Sequence, residues 1–285
     1  MTTTFSRGAA RSKAVSRRTA LLSAGALVPL AQLAAGVSAC SDAETGGKRV
    51  QIVTRVTAES LAFSNAFGFE IQLERALVSM GPLRYLAGAP VALRRPLSPA
   101  LHLLEWFRAV RTAHAHPGHY VEGQTLGEML EPRVVELAGP AVTFAPGRGV
   151  TGVARSARLQ FQSPAEGPLA RELGDNLVLV EGRATSAERT LAFRAGVSLE
   201  QLLDAEGNPT VEGCELHDGD IYEDGTIDLT VSPAVWLDQV DFGKVSLEGA
   251  IAQLEPSGTP HKAFVRGLKK AAAYVFRYRP GIAVP

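Results

Sequence analysis

The chain has 285 residues, of which 29 are Lys or Arg and 29 are Asp or Glu, so its formal charge at neutral pH is zero. A neutral chain lacks the basic face of a general nucleic-acid binder, and 20% charged residues with ordinary glycine and proline contents exclude a disordered or collagen-like composition. Two cysteines cannot form a disulfide framework, and the length is sufficient for a sizeable hydrophobic core.

The first 39 residues are predicted to be a cleaved export signal. They hold five of the 29 basic residues and no acidic one, so the remainder has 24 basic against 29 acidic residues and a net charge of −5. An apolar stretch at 20–37 follows the pair Arg17-Arg18, which resembles the pair of a Tat signal, while Sec export stays open. The alternative is a membrane anchor, but 18 residues interrupted by a proline are barely enough to span a bilayer.

The apolar stretch ends in Val-Ser-Ala immediately before Cys40. This ending resembles the lipobox of bacterial lipoproteins, in which small residues before a cysteine allow cleavage and the cysteine becomes the lipidated first residue. Cys40 is therefore the predicted lipid anchor to the membrane, and residues 40–48 are its polar tether. Ser rather than Asp directly after the cysteine favours the outer membrane, so the predicted location is the cell envelope, at the outer membrane or the periplasmic face.

Residues 49–285 are predicted to form one mainly β domain, an antiparallel β-sandwich with one or two short helices. Apolar and polar residues alternate there with the period of two that is typical of half-buried strands. The predicted strands are residues 50–57, 69–74, 77–86, 150–157, 158–162, 177–182, 191–197 and 227–231. The predicted helices and the closing strand are residues 98–109, 199–205, 260–270 and 274–278. Many short strands and few helices favour a sandwich.

Three of the six histidines lie within six residues, at His114, His116 and His119. If the first two lie on an extended segment, their imidazoles point to the same side, and the Pro-Gly pair that follows can bring His119 round. Three neutral imidazoles suit a borderline transition metal, Zn²⁺ or copper, and binding weakens as the pH falls towards 6.5. Glu122 or Glu128 can orient a ligating imidazole by accepting its second ring N–H, without binding the metal itself. The alternative is a polar loop that binds no metal tightly.

The basic residues of the mature chain form no recognisable motif. Arg75, Arg84, Arg94 and Arg95 are scattered and lack the interleaved aromatic residues of a nucleic-acid stripe. Segment 147–152 is glycine-rich but lacks the lysine and the strand–helix context of a phosphate-binding loop. No nucleic-acid partner is expected.

A second candidate cluster contains Cys214 and His217, followed by an acidic turn. Cys-x-x-His is a ligand spacing, so either residue is a candidate for a further ligand at the same metal site. Once Cys40 carries lipid, Cys214 is the only thiol and has no intramolecular partner. A buried small cysteine beside an acidic turn is the favoured interpretation of this cluster taken alone.

Four segments resemble an uncharacterised family of bacterial envelope lipoproteins: the lipobox at Cys40, the run from His114 to Leu130, residues 150–159 and residues 235–242. The similarity would cover most of residues 50–280. The overall plan is similar, more distantly, to the MbnP-like proteins, which are periplasmic or surface β-sandwich proteins associated with copper. The resemblance implies a sandwich fold and a role connected with copper.

These patterns predict a non-enzymatic, lipid-anchored envelope protein that binds copper or zinc through His114, His116 and His119, with Cys214 or His217 as a fourth ligand. One alternative is a structural or interaction lipoprotein whose loops contact another envelope protein. The other is a metal-dependent hydrolase, because three histidines and a water form a catalytic zinc pattern.

Overall fold

Sixteen strands and four short helices are formed by the residues that the computed structural model describes, which are 47–90, 120–163, 167–247 and 249–281. These residues belong to one compact unit within Gly46–Pro285. The predicted signal, Cys40 and the helix predicted at 98–109 lie outside the described residues. So do the three clustered histidines, His114, His116 and His119.

The elements follow the alternation of the sequence in most places, and two 3-10 turns, Phe242–Lys244 and Ala271–Ala273, accompany them. The strands are β1 (Arg49–Ala58), β2 (Ala62–Ser64), β3 (Glu70–Leu86), β4 (Thr125–Met129), β5 (Arg133–Glu136), β6 (Val142–Thr143), β7 (Gly147–Val150), β8 (Gly152–Val153), β9 (Ser156–Phe161), β10 (Asn176–Thr185), β11 (Thr190–Ser198), β12 (Thr210–His217), β13 (Asp220–Ile221), β14 (Gly225–Val231), β15 (Ala252–Gln253) and β16 (Tyr274–Pro280). The helices are α1 (Pro168–Leu173), α2 (Leu199–Leu202), α3 (Pro233–Leu237) and α4 (Thr259–Leu268).

The prediction of a mainly β chain is confirmed, but strand pairing closes eight strands into a ring. β3 pairs with β4, the pairs continue through β7, β1, β14, β16, β12 and β9, and β9 pairs back with β3. A 14-stranded sheet that contains this closed ring, with the small separate pair β8 and β13, replaces the two facing sheets of the predicted sandwich. The sheet is also mixed rather than antiparallel, because β14 runs parallel to β1 and β16 runs parallel to β12.

The length of β3 explains the difference from the predicted sandwich. The two alternating runs predicted at 69–74 and 77–86 form most of one strand of 17 residues. Its C-terminal part closes the ring by pairing with both β9 and β4. The register shifts in both pairings, and such irregularities bend a strand and increase its twist. Its N-terminal part pairs with β10, after which β11 and β15 extend the sheet away from the ring.

The interior of the ring is filled by side chains. Ile52, Tyr85 and Phe276 are fully buried there, and the rings of Tyr85 and Phe276 meet edge to face at 6.2 Å between centroids. The one polar contact of Tyr85 is a short hydrogen bond to the hydroxyl of Thr54, which satisfies both buried groups. Burial raises the pKa of Tyr85, so this phenol stays protonated.

Helices cover the sheet beside the ring. Phe242, in a 3-10 turn, packs on Phe193 of β11 with ring centroids 4.7 Å apart. Gly267 lets α4 approach the backbone of α3, since a Cβ there would lie 2.2 Å from the carbonyl oxygen of Trp236. No helix within the described ranges is both long and apolar enough to cross a membrane.

Several local predictions need correction. The described residues alone form four helices, more than the predicted one or two, because α1 and α3 begin at prolines within short segments that carry no helical periodicity. The strand predicted at 150–157 is divided among β7, β8 and β9, since Gly152 adopts a positive φ of 156° that interrupts a regular strand.

Candidate functional site

Cys214 lies in the core of the ring. Its side chain is fully buried, and its sulfur is 3.7 Å from the carbonyl oxygen of Val211. Burial raises the pKa of the thiol to about 12, so the neutral thiol is the form present at neutral pH. A metal ligand must be a thiolate, and a buried neutral thiol is a poor source of one.

His217 lies on the opposite face of β12 from Cys214. Side chains alternate along a strand, so residues three positions apart point to opposite sides. The imidazole is partly exposed, and its Nε2 is 3.7 Å from a carboxylate oxygen of Glu215. The Cys-x-x-His spacing therefore does not bring the two predicted ligands together. Across the described ranges, no three His, Cys, Asp or Glu side chains are grouped so that they could hold a metal ion.

The two strands that flank residues 91–119 are tied together where they meet. The amide of Ala87 donates to Gln124 O at 2.9 Å, and that of Gly88 donates to Glu122 O at 2.8 Å. Gly88 is required at this crossing, because a Cβ on it would lie 2.0 Å from a backbone oxygen of the facing segment. Residues 87–88 and residues 121–124 therefore lie side by side at one place on the ring.

Tyr120, the residue that follows His119, is fixed at this same place. Its hydroxyl lies 2.5 Å from Ser156 Oγ, and Ser156 donates to the carbonyl oxygen of Gly88 at 2.7 Å. Ser156 is the strand partner of Glu215, the carboxylate beside His217. We call this region, formed by Gly88, Tyr120, Ser156 and Glu215, the Tyr120 end of the ring. Partial burial there raises the pKa of Tyr120, against the effect of the hydrogen bond to Ser156.

The two glutamates predicted to orient an imidazole lie in different surroundings. Glu122 is at the Tyr120 end and forms a short ion pair with Arg158, which also lies 3.7 Å from Glu212. Glu128 lies further along the ring, where its carboxylate is 3.7 Å from Arg84 Nε. His261 is also accounted for, since it is buried in α4 with its Nε2 2.8 Å from Gly196 O.

A groove on the outside of the ring gathers basic residues that the sequence leaves scattered. The groove is open, has a volume of about 950 Å³ and is lined by Arg49, Arg84 and Arg148 together with Glu128. Strand register explains the clustering, because Arg84 pairs with Glu128 and Glu128 pairs with Arg148 across three neighbouring strands. We call this surface the arginine groove. No sequence signal identified it, since its residues come from strands separated by up to 99 positions.

Comparison with protein-family models, curated proteins and solved structures gives no match for this chain. The resemblance to envelope lipoproteins and to MbnP-like proteins therefore stays a prediction.

Proposed function

We propose that this protein is a lipid-anchored protein of the bacterial cell envelope that binds one transition-metal ion, copper or zinc. The ligands are His114, His116 and His119, with His217 as the fourth. The anchor is Cys40, exposed after cleavage of a signal that contains Arg17 and Arg18. Neutral imidazole nitrogens bind either ion, with metal–nitrogen bonds of about 2.0–2.1 Å for zinc.

The observation that carries the proposal is the attachment of Tyr120 to Ser156. His119 is the neighbour of Tyr120, so it lies within one residue of a point fixed by a 2.5 Å hydrogen bond. The strand partner of Ser156 is Glu215, and the carboxylate of Glu215 is 3.7 Å from His217 Nε2. Tyr120, which follows the histidine run in the sequence, and the exposed histidine of β12 thus belong to the same end of the ring, which supports one shared site.

The same geometry favours His217 over Cys214 as the fourth ligand. Cys214 is fully buried with its thiol protonated, whereas the side chain of His217 is 38% exposed at the ring surface. Glu215 is the carboxylate nearest to His217, which gives it the orienting role predicted for Glu122 or Glu128. Glu122 is already engaged by Arg158.

The experiment is metal analysis of protein produced through its own export route. The wild type is expected to carry about one copper or zinc ion, and a His114→Ala, His116→Ala, His119→Ala variant is expected to carry none. Cys214→Ala is the matched control and retains the metal. Thermal unfolding in a chelator must be the same for the histidine variant and the wild type. Unchanged metal content in the histidine variant would reject the metal site.

A second candidate function is docking of another envelope protein, and exposed apolar side chains favour it. Val121 is 73% exposed next to Tyr120, Val153 is 52% exposed in β8, and Tyr222, which follows β13, is 55% exposed. This function predicts no stoichiometric metal and no rise in melting temperature with Zn²⁺ or Cu²⁺, since only binding to the native state raises it.

A further inference from the structure

The arginine groove has a local excess of positive charge. Arg49, Arg84 and Arg148 line it, and Glu128 is the one acidic residue among the lining residues. Glu128 is 3.7 Å from Arg84 Nε, while neither Arg49 nor Arg148 forms an ion pair with any residue in the described ranges. Six other arginines of the sheet have a carboxylate within ion-pair distance, namely Arg75, Arg158, Arg183, Arg194, Arg277 and Arg279. Arg55 and Arg133 also form no ion pair with a described residue, but they do not line this groove.

The surface between the three guanidinium groups is open. Gly127 and Gly149 face each other across β4 and β7, and the position of each missing side chain is directed inward, against Ile52 Cδ1. The remaining lining residues are Val50, Thr125, Leu126 and Val150. None of the described lining residues is aromatic, so they offer no stacking platform of the kind with which proteins hold single-stranded nucleic acid.

The groove begins where the chain enters the sheet. The amide of Lys48 donates to Thr151 Oγ1 at 2.9 Å, the amide of Thr151 donates to Lys48 O at 2.8 Å, and Arg49 pairs with Val150. Arg49 follows Cys40 by nine positions in the sequence. Nine residues of fully extended chain span at most about 30 Å. If Cys40 is lipidated, the groove is therefore held close to the membrane surface.

We propose that the arginine groove binds the phosphate of anionic phospholipid headgroups and so fixes the orientation of the ring on the membrane. Guanidinium groups form paired hydrogen bonds to phosphate oxygens, and basic residues near an anionic leaflet are attracted to it. The proposal rests on the lipid anchor at Cys40 and is independent of the metal site.

The test uses the full-length lipidated protein in nanodiscs of phosphatidylcholine, with and without phosphatidylglycerol, in the presence of a chelator. Arginines are labelled with hydroxyphenylglyoxal, and the rate at each site is read by mass spectrometry. Phosphatidylglycerol is expected to slow labelling of Arg49, Arg84 and Arg148 about fivefold. The exposed Arg171 and Arg266 should be unaffected, and 0.5 M salt should abolish the protection because it screens exposed charges.

Two double variants that remove the same charge distinguish phosphate binding in the groove from a general attraction of the basic protein surface to the anionic membrane. Arg49→Gln with Arg148→Gln should abolish the protection of Arg84, whereas Arg171→Gln with Arg266→Gln should leave it intact. The proposal would be overturned if phosphatidylglycerol gave no protection, or if Arg84 were protected equally in both double variants. It would also be overturned if inorganic phosphate or an acidic peptide gave the same protection without phosphatidylglycerol. Intact mass measures lipidation of Cys40, and metal analysis measures occupancy of the metal site. A protein that lacks the lipid or the metal is therefore distinguished from one whose groove does not bind phospholipid.

Discussion

The hydroxyl of Tyr120 donates to Ser156 Oγ at 2.5 Å. The direction follows from the next bond, because Ser156 donates its own proton to the carbonyl oxygen of Gly88. Tyr120 therefore ties the segment that returns to the ring to the first residue of β9 and, through it, to the end of β3. This bond acts together with the backbone hydrogen bonds from Gly88 to Glu122 and from Ala87 to Gln124.

Tyr120→Phe removes the hydroxyl and keeps the ring. A hydrogen bond of this kind contributes about 1 kcal/mol net, so the free energy of unfolding should fall by about that amount. Chemical denaturation measures the change. The control is Tyr222→Phe, since Tyr222 is 55% exposed and its hydroxyl forms no hydrogen bond to any described residue. Equal losses in the two variants would show that the Ser156 bond contributes nothing.

The buried thiol of Cys214 makes stability depend on alkaline pH. Its pKa is raised from 9 in the unfolded chain to about 12 in the folded protein, so its contribution is complete below pH 9 and is lost as the pH rises to about 12. Within this window the contribution falls by up to about 1.4 kcal/mol per pH unit. Cys214→Ala should have a shallower decline between pH 9 and pH 10.5, measured by urea unfolding.

The same burial protects Cys214 from thiol reagents. Iodoacetamide at pH 8 should modify the unfolded protein and leave the folded protein intact, which intact mass measures directly. Rapid labelling of the native protein would contradict full burial of the side chain.

Substitutions of His217 and Cys214 are expected to differ in their effect on metal affinity. His217→Gln should weaken metal binding by at least about tenfold, because it removes a ligand, while Cys214→Ala should leave the affinity unchanged. Affinity also falls as the pH drops below about 6.5, since protonated imidazole has no free lone pair. Competition with a chelator at pH 7.5 and pH 5.5 measures both effects. A larger loss in Cys214→Ala would restore the cysteine as the fourth ligand.

The strands of the fold were largely predictable, and their arrangement was not. The alternation at 50–57, 177–182, 191–197, 227–231 and 274–278 corresponds to β1, β10, β11, β14 and β16. Alternation identifies which face of a strand is buried, but it carries no information about which strand lies beside it. The ring depends on the pairing of β9 with β3, whose facing residues lie 70 to 81 positions apart in the sequence. The parallel pairing of β1 with β14 likewise leaves no local signal.

The burial of Cys214, which is the interpretation that the sequence favours for this cluster taken alone, has a local cause. Gly213 interrupts the alternation of residues 210–217, so the sequence predicts no strand there, although the chain forms β12 over Thr210–His217. Gly213 has a positive φ of 67° and lies where the register of β12 shifts against β9. Beyond this bulge the strand resumes, so Cys214 and Leu216 face inward while Glu215 and His217 face outward.

Substitution of Gly127 tests how closely the side chains are packed inside the ring. A Cβ at this position would lie 2.7 Å from Ile52 Cδ1 and 3.1 Å from Tyr85 Cδ2, so Gly127→Ala should destabilise the protein by about 1–3 kcal/mol. Ile52→Val removes the atom that clashes and by itself costs about 0.5–1.5 kcal/mol. The double variant should therefore lose at least about 1 kcal/mol less than the sum of the two single losses, as measured by denaturation in urea. Gly139→Ala is the control, because a Cβ there makes only ordinary contacts at 3.4 Å or more. Additive losses would mean that Ile52 does not occupy the space facing Gly127, and the ring would then be less tightly filled between β1 and β4.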